Sequence, residues 1–148
     1  MDDTAAMLAR AEFLEMCDDE QRRMLAFAGD QQHFGADQVL YRAGEIPSGA
    51  FVLLDGVLQV APQGDGTAPY TIDEPGSVVS AMALILAKPR AVTITAVTEV
   101  QVFFVPRHAF MKLVQQSPVL AQRVAERIQA DLGSYLEALQ PIRNKIKR

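Results

Sequence analysis

The sequence predicts an α+β fold, in which a roll or sandwich of short strands is flanked by an N-terminal helix and a long C-terminal helix. Three observations predict it. Residues 31–106 break into short β-branched or alternating runs separated by turn residues. Beyond Pro106 the apolar period becomes helical. Upstream, Asp18 and Gln21 stand three residues apart ahead of Met24, Leu25 and Ala28, the spacing of a capping box that opens an amphipathic helix. Strands this short and this closely spaced pack as a sandwich or roll.

Taken in order, the strand candidates are Gln38–Arg42, Ala50–Leu54, Val57–Ala61, Pro69–Ile72, a short run ending near Val79, Val92–Ala96 and Val100–Val105. Turn residues punctuate them at Ala43-Gly44, Pro47-Ser48-Gly49, Asp55-Gly56, Gly64-Asp65-Gly66 and Glu74-Pro75-Gly76. The Gly-rich stretch Gln63–Ala68 reads as a hairpin loop, since no helix start follows it as a phosphate loop requires. Arg107–Gln116 carries Phe110, Leu113 and Val114 at helical spacing. Ser117 then supplies an N-cap and Pro118 the first helical position. The helix that follows is expected to reach about Leu139, ahead of Pro141. Leu120, Val124, Ile128, Leu132, Leu136 and Leu139 form one apolar stripe along it. That stripe has two destinations: the chain's own roll, or, for its distal half, the same helix of a second copy.

Composition narrows the function classes. A chain of 148 residues, 49% hydrophobic and 22% charged, has the length of one domain and is too apolar for disorder. No apolar run approaches the ~20 residues of a membrane span. The acidic start Met1-Asp2-Asp3 lacks the basic and apolar regions of a secretory signal, so a cytoplasmic location is expected. Cys17 is the single cysteine, which excludes an internal disulfide and reads as a buried thiol. His33 and His108 stand without a carboxylate at catalytic spacing, and no metal-ligand cluster is seen, so neither catalytic residues nor a metal site is expected and the chain does not read as an enzyme. Arg143, Lys145, Lys147 and Arg148 make the last eight residues basic, while the whole chain carries −4; they read as a solvated terminus.

The most informative stretch runs from Pro75-Gly76-Ser77-Val78-Val79 through Ser80-Ala81-Met82-Ala83-Leu84-Ile85 to Pro89-Arg90-Ala91-Val92-Thr93. A strand ending near Val79, a turn at Ser80-Ala81 and one helical turn through Leu86 would bring free backbone N–H groups and the Arg90 guanidinium together around a phosphate-sized anion. A carboxylate partner or solvent is the alternative occupant for Arg90.

This stretch resembles the phosphate-binding cassette of the cyclic nucleotide-binding domains, the family of the catabolite activator protein and the protein kinase A regulatory subunits. The family pattern F-G-E-L-A-L-I followed by P-R-A-A-T is matched by Val79–Ile85 and Pro89–Thr93, with the same nine-residue step from Ala81 to Arg90. Gly44-Glu45, the run from Gly49 to Gly56 and Pro75-Gly76 fall where the family's turns fall. The resemblance implies an antiparallel β-roll, a double-stranded β-helix or jelly-roll, over about residues 31–106. Around it stand an extension over 1–11, helices over about 107–139 and the basic tail 140–148, the domain itself spanning 12–139. It further implies a cyclic nucleotide or other phosphate-bearing ligand, with no other cofactor, at Arg90, Ser80, Ala81, Met82, Ala91 and Thr93, with Tyr135 over a base. In catabolite-activator-like relatives the long helix forms a dimer seam, which implies a homodimer through the six-residue stripe.

Two departures matter. The family's glycine is Ser80 here, and the glutamate that takes the ribose 2′-hydroxyl is Ala81. Loss of that charge-assisted hydrogen bond costs about 1.5–3 kcal/mol, so cyclic AMP binding is expected to be weak or absent. The function expected is a regulatory module for an anionic ligand; the alternative is a vestigial pocket on a dimerising assembly or interaction domain. Nine residues beyond Leu139 are too few for a DNA-reading domain, and neither direct DNA binding nor a membrane partner is expected.

Overall fold

The structure is a computed structural model that describes residues 8–9, 11, 14–64 and 66–129. Most of the expected extension, Leu132, Leu136 and Leu139 of the stripe, Tyr135 and the basic tail lie outside them.

The capping box forms as spaced. A short 3-10 helix at Leu14–Met16 precedes helix α1 at Asp19–Ala28. The Asp18 carboxylate accepts from the Gln21 N–H at 2.7 Å, and Gln21 Oε1 accepts from the Asp18 N–H at 2.9 Å. Of the apolar residues expected to anchor α1, only Leu25 is buried; Met24 and Ala28 are exposed, and Phe27 is 93% exposed. Ala26 packs partly against the same core, and Arg22 holds the turn before the helix, donating to the carbonyls of Leu14 and Cys17. Cys17 is buried, and desolvation pushes its thiol up from 9.0 to about 11 against the lowering pull of Arg22. It is protonated and unreactive at neutral pH.

Eight strands form two antiparallel four-stranded sheets. They are β1 Asp30–Phe34, β2 Val39–Tyr41, β3 Gly49–Asp55, β4 Leu58–Pro62, β5 Tyr70–Ile72, β6 Val78–Val79, β7 Val92–Ala96 and β8 Val100–Pro106. One sheet has the order β1-β8-β3-β6 and the other β2-β7-β4-β5. This is the expected α+β roll. β1 has no counterpart among the strands read from sequence, because Asp-Gln-Gln-His-Phe carries no apolar alternation. It becomes a strand by pairing with β8 from Asp30↔Phe104 to Phe34↔Val100.

β3 explains why its segment reads as a continuous apolar run. Phe51 and Leu53 face the space between the sheets, whereas Ala50 and Val52 face the helices. Strands buried on both faces lose the polar positions that otherwise alternate. Gly49 opens β3 where a Cβ would run into the Val105 carbonyl of β8, so the two strands approach as closely as their pairing requires.

Helix α2, Arg107–Gln116, buries Phe110 and Leu113 against the outer face of the β3-containing sheet. A third helix, α3, runs over residues 118–129 and starts on Ser117, whose hydroxyl accepts from the Leu120 N–H at 3.1 Å. The proximal stripe takes the first of its two destinations. Leu120 and Val124 are 1% and 5% exposed, and Ile128 packs against the same core. This corrects the expectation of a dimer seam through Leu120 and Val124, since side chains already buried in their own subunit have no surface left for a partner. Arg123 and Arg127 fasten α3 to the first 3-10 helix through the Met16 carbonyl at 3.0 Å and the Glu15 carboxylate at 2.9 Å.

Candidate functional site

Between Pro75 and Thr93, the strand ends at Val79 and a helical turn follows, as the spacing suggested, with one tightening. After β6, Ser80 takes the left-handed conformation at φ 63° and ψ 48°, and a single 3-10 turn follows at Ala81–Leu84. A non-glycine residue there is strained. Arg90 sits at the end of the returning loop, and its main chain is clamped on both sides. Its carbonyl accepts from the Gly44 N–H at 2.8 Å, and its N–H donates to the Glu45 carbonyl at 3.1 Å. The β2–β3 turn that carries Gly44, at φ 95°, therefore fixes where the guanidinium starts.

Tyr41 lies beside that guanidinium. It projects from β2 between the sheets, is 6% exposed, and stacks on Phe51 with ring centroids 6.5 Å apart and planes 15° from parallel. Burial raises its pKa, opposed by the charge of Arg90 and a polar contact with it, and Tyr70 adds to the rise. The phenol thus remains protonated, a hydrogen-bond donor, through the neutral range.

Among the described residues, the buried side-chain polar atoms Tyr41 Oη, Ser80 Oγ and Arg90 Nε make no hydrogen bond of good geometry, the contact between Tyr41 and Arg90 falling short of one. Tyr41 and Arg90 are neighbours. Ser80 follows Val79 at the end of β6, which pairs with β3. Buried polar atoms are satisfied in the great majority of cases, because leaving one unpaired costs about 1–3 kcal/mol. Arg90 and the Tyr41 hydroxyl, side by side, can together meet the oxygens of one anion.

The remaining expected site residues are placed differently. Ala81 and Met82 pack against the helix-side core, and Ala91 is exposed. The Thr93 hydroxyl is occupied by the turn, accepting from the Ala43 N–H at 2.9 Å. Tyr135 lies outside the described residues. No group of three histidine, cysteine or acidic residues able to hold a metal occurs among the described residues. None of the helices there is long and apolar enough to cross a membrane.

Sequence reasoning missed Tyr41, and it also missed Arg107. The Arg107 Nη1 donates to the carbonyls of Pro47 at 2.9 Å, Ala83 at 2.9 Å and Leu86 at 3.4 Å. One guanidinium thereby ties the end of the cassette turn to the β2–β3 turn and to the start of α2. A trace was present in the sequence: a cation in the first turn of a helix opposes the helix dipole and so answers to something else. Arg107→Gln is expected to cost about 2 kcal/mol of stability. Amide hydrogen exchange across residues 81–86 should accelerate in that variant; unchanged exchange would show that the clamp does not hold the turn.

The family model for the cyclic nucleotide-binding domain matches residues 31–117, more than half of the chain. Comparison with curated proteins gives no match. A cyclic nucleotide-binding-like protein from Brucella abortus is 27% identical, with a TM-score of 0.65 over 76% of this chain and 98% of that one. The sensor domain of the transcriptional regulator DNR from Pseudomonas aeruginosa superposes with a TM-score of 0.74 at 16% identity, over 89% and 90% of the two chains. The catabolite activator protein of Thermus thermophilus gives 0.68 at 14% identity, over 88% of this chain and 62% of that one. With the two-sheet roll, the clamped arginine loop and the family model in agreement, the chain belongs to the cyclic nucleotide-binding domain family.

Proposed function

We propose that this chain is a regulatory module that binds an anionic, phosphate-bearing small ligand at Arg90, and that it binds cyclic AMP weakly or not at all. The observation that carries this reading is the adjacent pair Arg90 and Tyr41, whose buried Nε and Oη make no hydrogen bond of good geometry. Such atoms persist where a ligand supplies the missing partner. Ala81 supports the weakness toward cyclic AMP, since a methyl group cannot receive a ribose hydroxyl. Occupancy is read out through Arg107, which joins the cassette turn to α2, and through the helices packed beneath it. The likeness to a sensor domain and to an activator protein supports regulation by binding, without catalysis. A homodimer, if formed by this chain's long helix, uses the part of the stripe beyond Ile128.

Titration calorimetry against inorganic phosphate, cyclic AMP and cyclic GMP tests the reading. We expect binding of at least one phosphate-bearing compound, with cyclic AMP weak. Ala81→Glu should raise cyclic AMP affinity by roughly 10- to 100-fold, the worth of one charge-assisted hydrogen bond. Absence of heat from every compound at millimolar concentration, in wild type and Ala81→Glu alike, would overturn the anion site and leave an assembly domain.

A further inference from the structure

The sheet that carries Tyr41 carries a second tyrosine on the same face. Tyr41 lies opposite Ile94, Ile94 opposite Val60, and Val60 opposite Tyr70. Side chains directly opposite one another in antiparallel strands share a face, so the four form one row across the inner face of the β2-β7-β4-β5 sheet. Three of them are core, Tyr41 at 6%, Val60 at 3% and Ile94 at 0% exposure. Tyr70, on the edge strand β5, is 53% exposed. The row leaves the core at a phenol.

Two connections hold that phenol at the Arg90 end of the sheet. The Gln63 N–H, just past β4, donates to the Ala91 carbonyl at 2.8 Å, and Pro62 pairs with Val92, so the β4–β5 hairpin is bonded to the arginine loop itself. Tyr70 also stands within electrostatic reach of Tyr41, adding to the burial that opposes its ionisation. A phenol is apolar and flat over its ring and polar at its tip, so one left half in water can both stack and hydrogen-bond. Backbone to backbone the row spans about 14 Å, three strand spacings. Inorganic phosphate at Arg90 is too small to touch both ends of it, whereas a phosphate ester with a body of several atoms can.

We infer that Tyr70 is a specificity-determining residue of the anion site: it takes no part in holding the phosphate and meets the body of the ligand beyond it, by ring and hydroxyl, so that the site prefers phosphate esters to inorganic phosphate. The inference rests on the anion site proposed above and adds the residue that reads the remainder of the ligand.

Calorimetry on the full chain with inorganic phosphate, phenyl phosphate and cyclic AMP tests it, the last also on Ala81→Glu, where its binding is expected to be stronger. At least one ester should bind the wild type tighter than inorganic phosphate. Tyr70→Ala should weaken that ester roughly 3- to 10-fold, the worth of one aromatic contact, and leave phosphate as it was. Tyr70→Phe, which keeps the ring, should retain part of the ester's advantage. In Ala81→Glu the change Tyr70→Ala should lower cyclic AMP affinity by the same factor. Tyr70 is exposed at a sheet edge, so both variants should melt as the wild type does. Esters that bind no tighter than phosphate, or that are indifferent to Tyr70→Ala while phosphate still binds, would overturn the role of Tyr70 and leave the anion site standing. Binding of neither phosphate nor ester would remove the anion site and this inference with it.

Discussion

Arg90→Ala should lower the affinity for any phosphate-bearing ligand by at least about 100-fold. The estimate follows from the guanidinium fork, which offers two parallel donors to two oxygens, each charge-assisted bond contributing about 1.5–3 kcal/mol. Arg90→Lys should recover little of the loss, since an ammonium group presents a point charge where a planar fork is required. The folded state itself should tolerate Arg90→Ala. Its main-chain bonds to Gly44 and Glu45 survive the substitution, and a buried Nε that lacks a partner is removed. Thermal melts with and without ligand separate the two effects: the wild type should gain stability with ligand concentration, whereas Arg90→Ala should melt normally without responding. A variant that binds like the wild type would place the ligand elsewhere.

Phe110→Ala carries the largest expected effect on stability. Phe110 is fully buried and shares its cluster with Leu84 of the cassette turn, Val105 of β8 and Leu120 of α3. It is therefore the packing link among cassette, sheet and the helices proposed to report occupancy. Removing a buried phenyl group costs about 3–5 kcal/mol, because the neighbours cannot close the cavity. For a chain of this size, that corresponds to a fall in Tm of roughly 6–20 °C. Phe27→Ala is the matched control. It deletes the same group from a side chain that is 93% exposed, and its stability should change by no more than about 0.5 kcal/mol. Comparable losses in the two variants would mean that Phe110 is not a core residue.

The fold was legible wherever a local signal decides the structure. The Asp18–Gln21 spacing places a helix start because both partners of the capping box lie within one turn. The strand β3 follows from an apolar run bounded by glycine and aspartate, β7 and β8 from β-branched and apolar runs, and Ser117-Pro118 begins α3 by local capping chemistry. Arg90 was legible too, since its distance from the cassette turn is a matter of counting.

β1 was not legible. Its polar residues hold a strand only because β8 offers a row of backbone partners some 70 positions away. Nor did the stripe on the long helix reveal which part of it the chain would bury itself. Its residues look alike in sequence, and only the position of the core decided that Leu120 and Val124 belong inside.

The candidate site divides along the same line. By itself the sequence determined that one arginine follows a short turn at the right interval, and that the acid expected beside it is an alanine. The tertiary structure alone decided that the Tyr41 hydroxyl stands next to Arg90, that Thr93 serves the neighbouring turn and that Arg107 grips the cassette from behind. Tyr41 and Arg90 are brought together by β2 and the arginine loop folding onto one turn, and whether a buried polar atom finds a partner depends on what has folded around it.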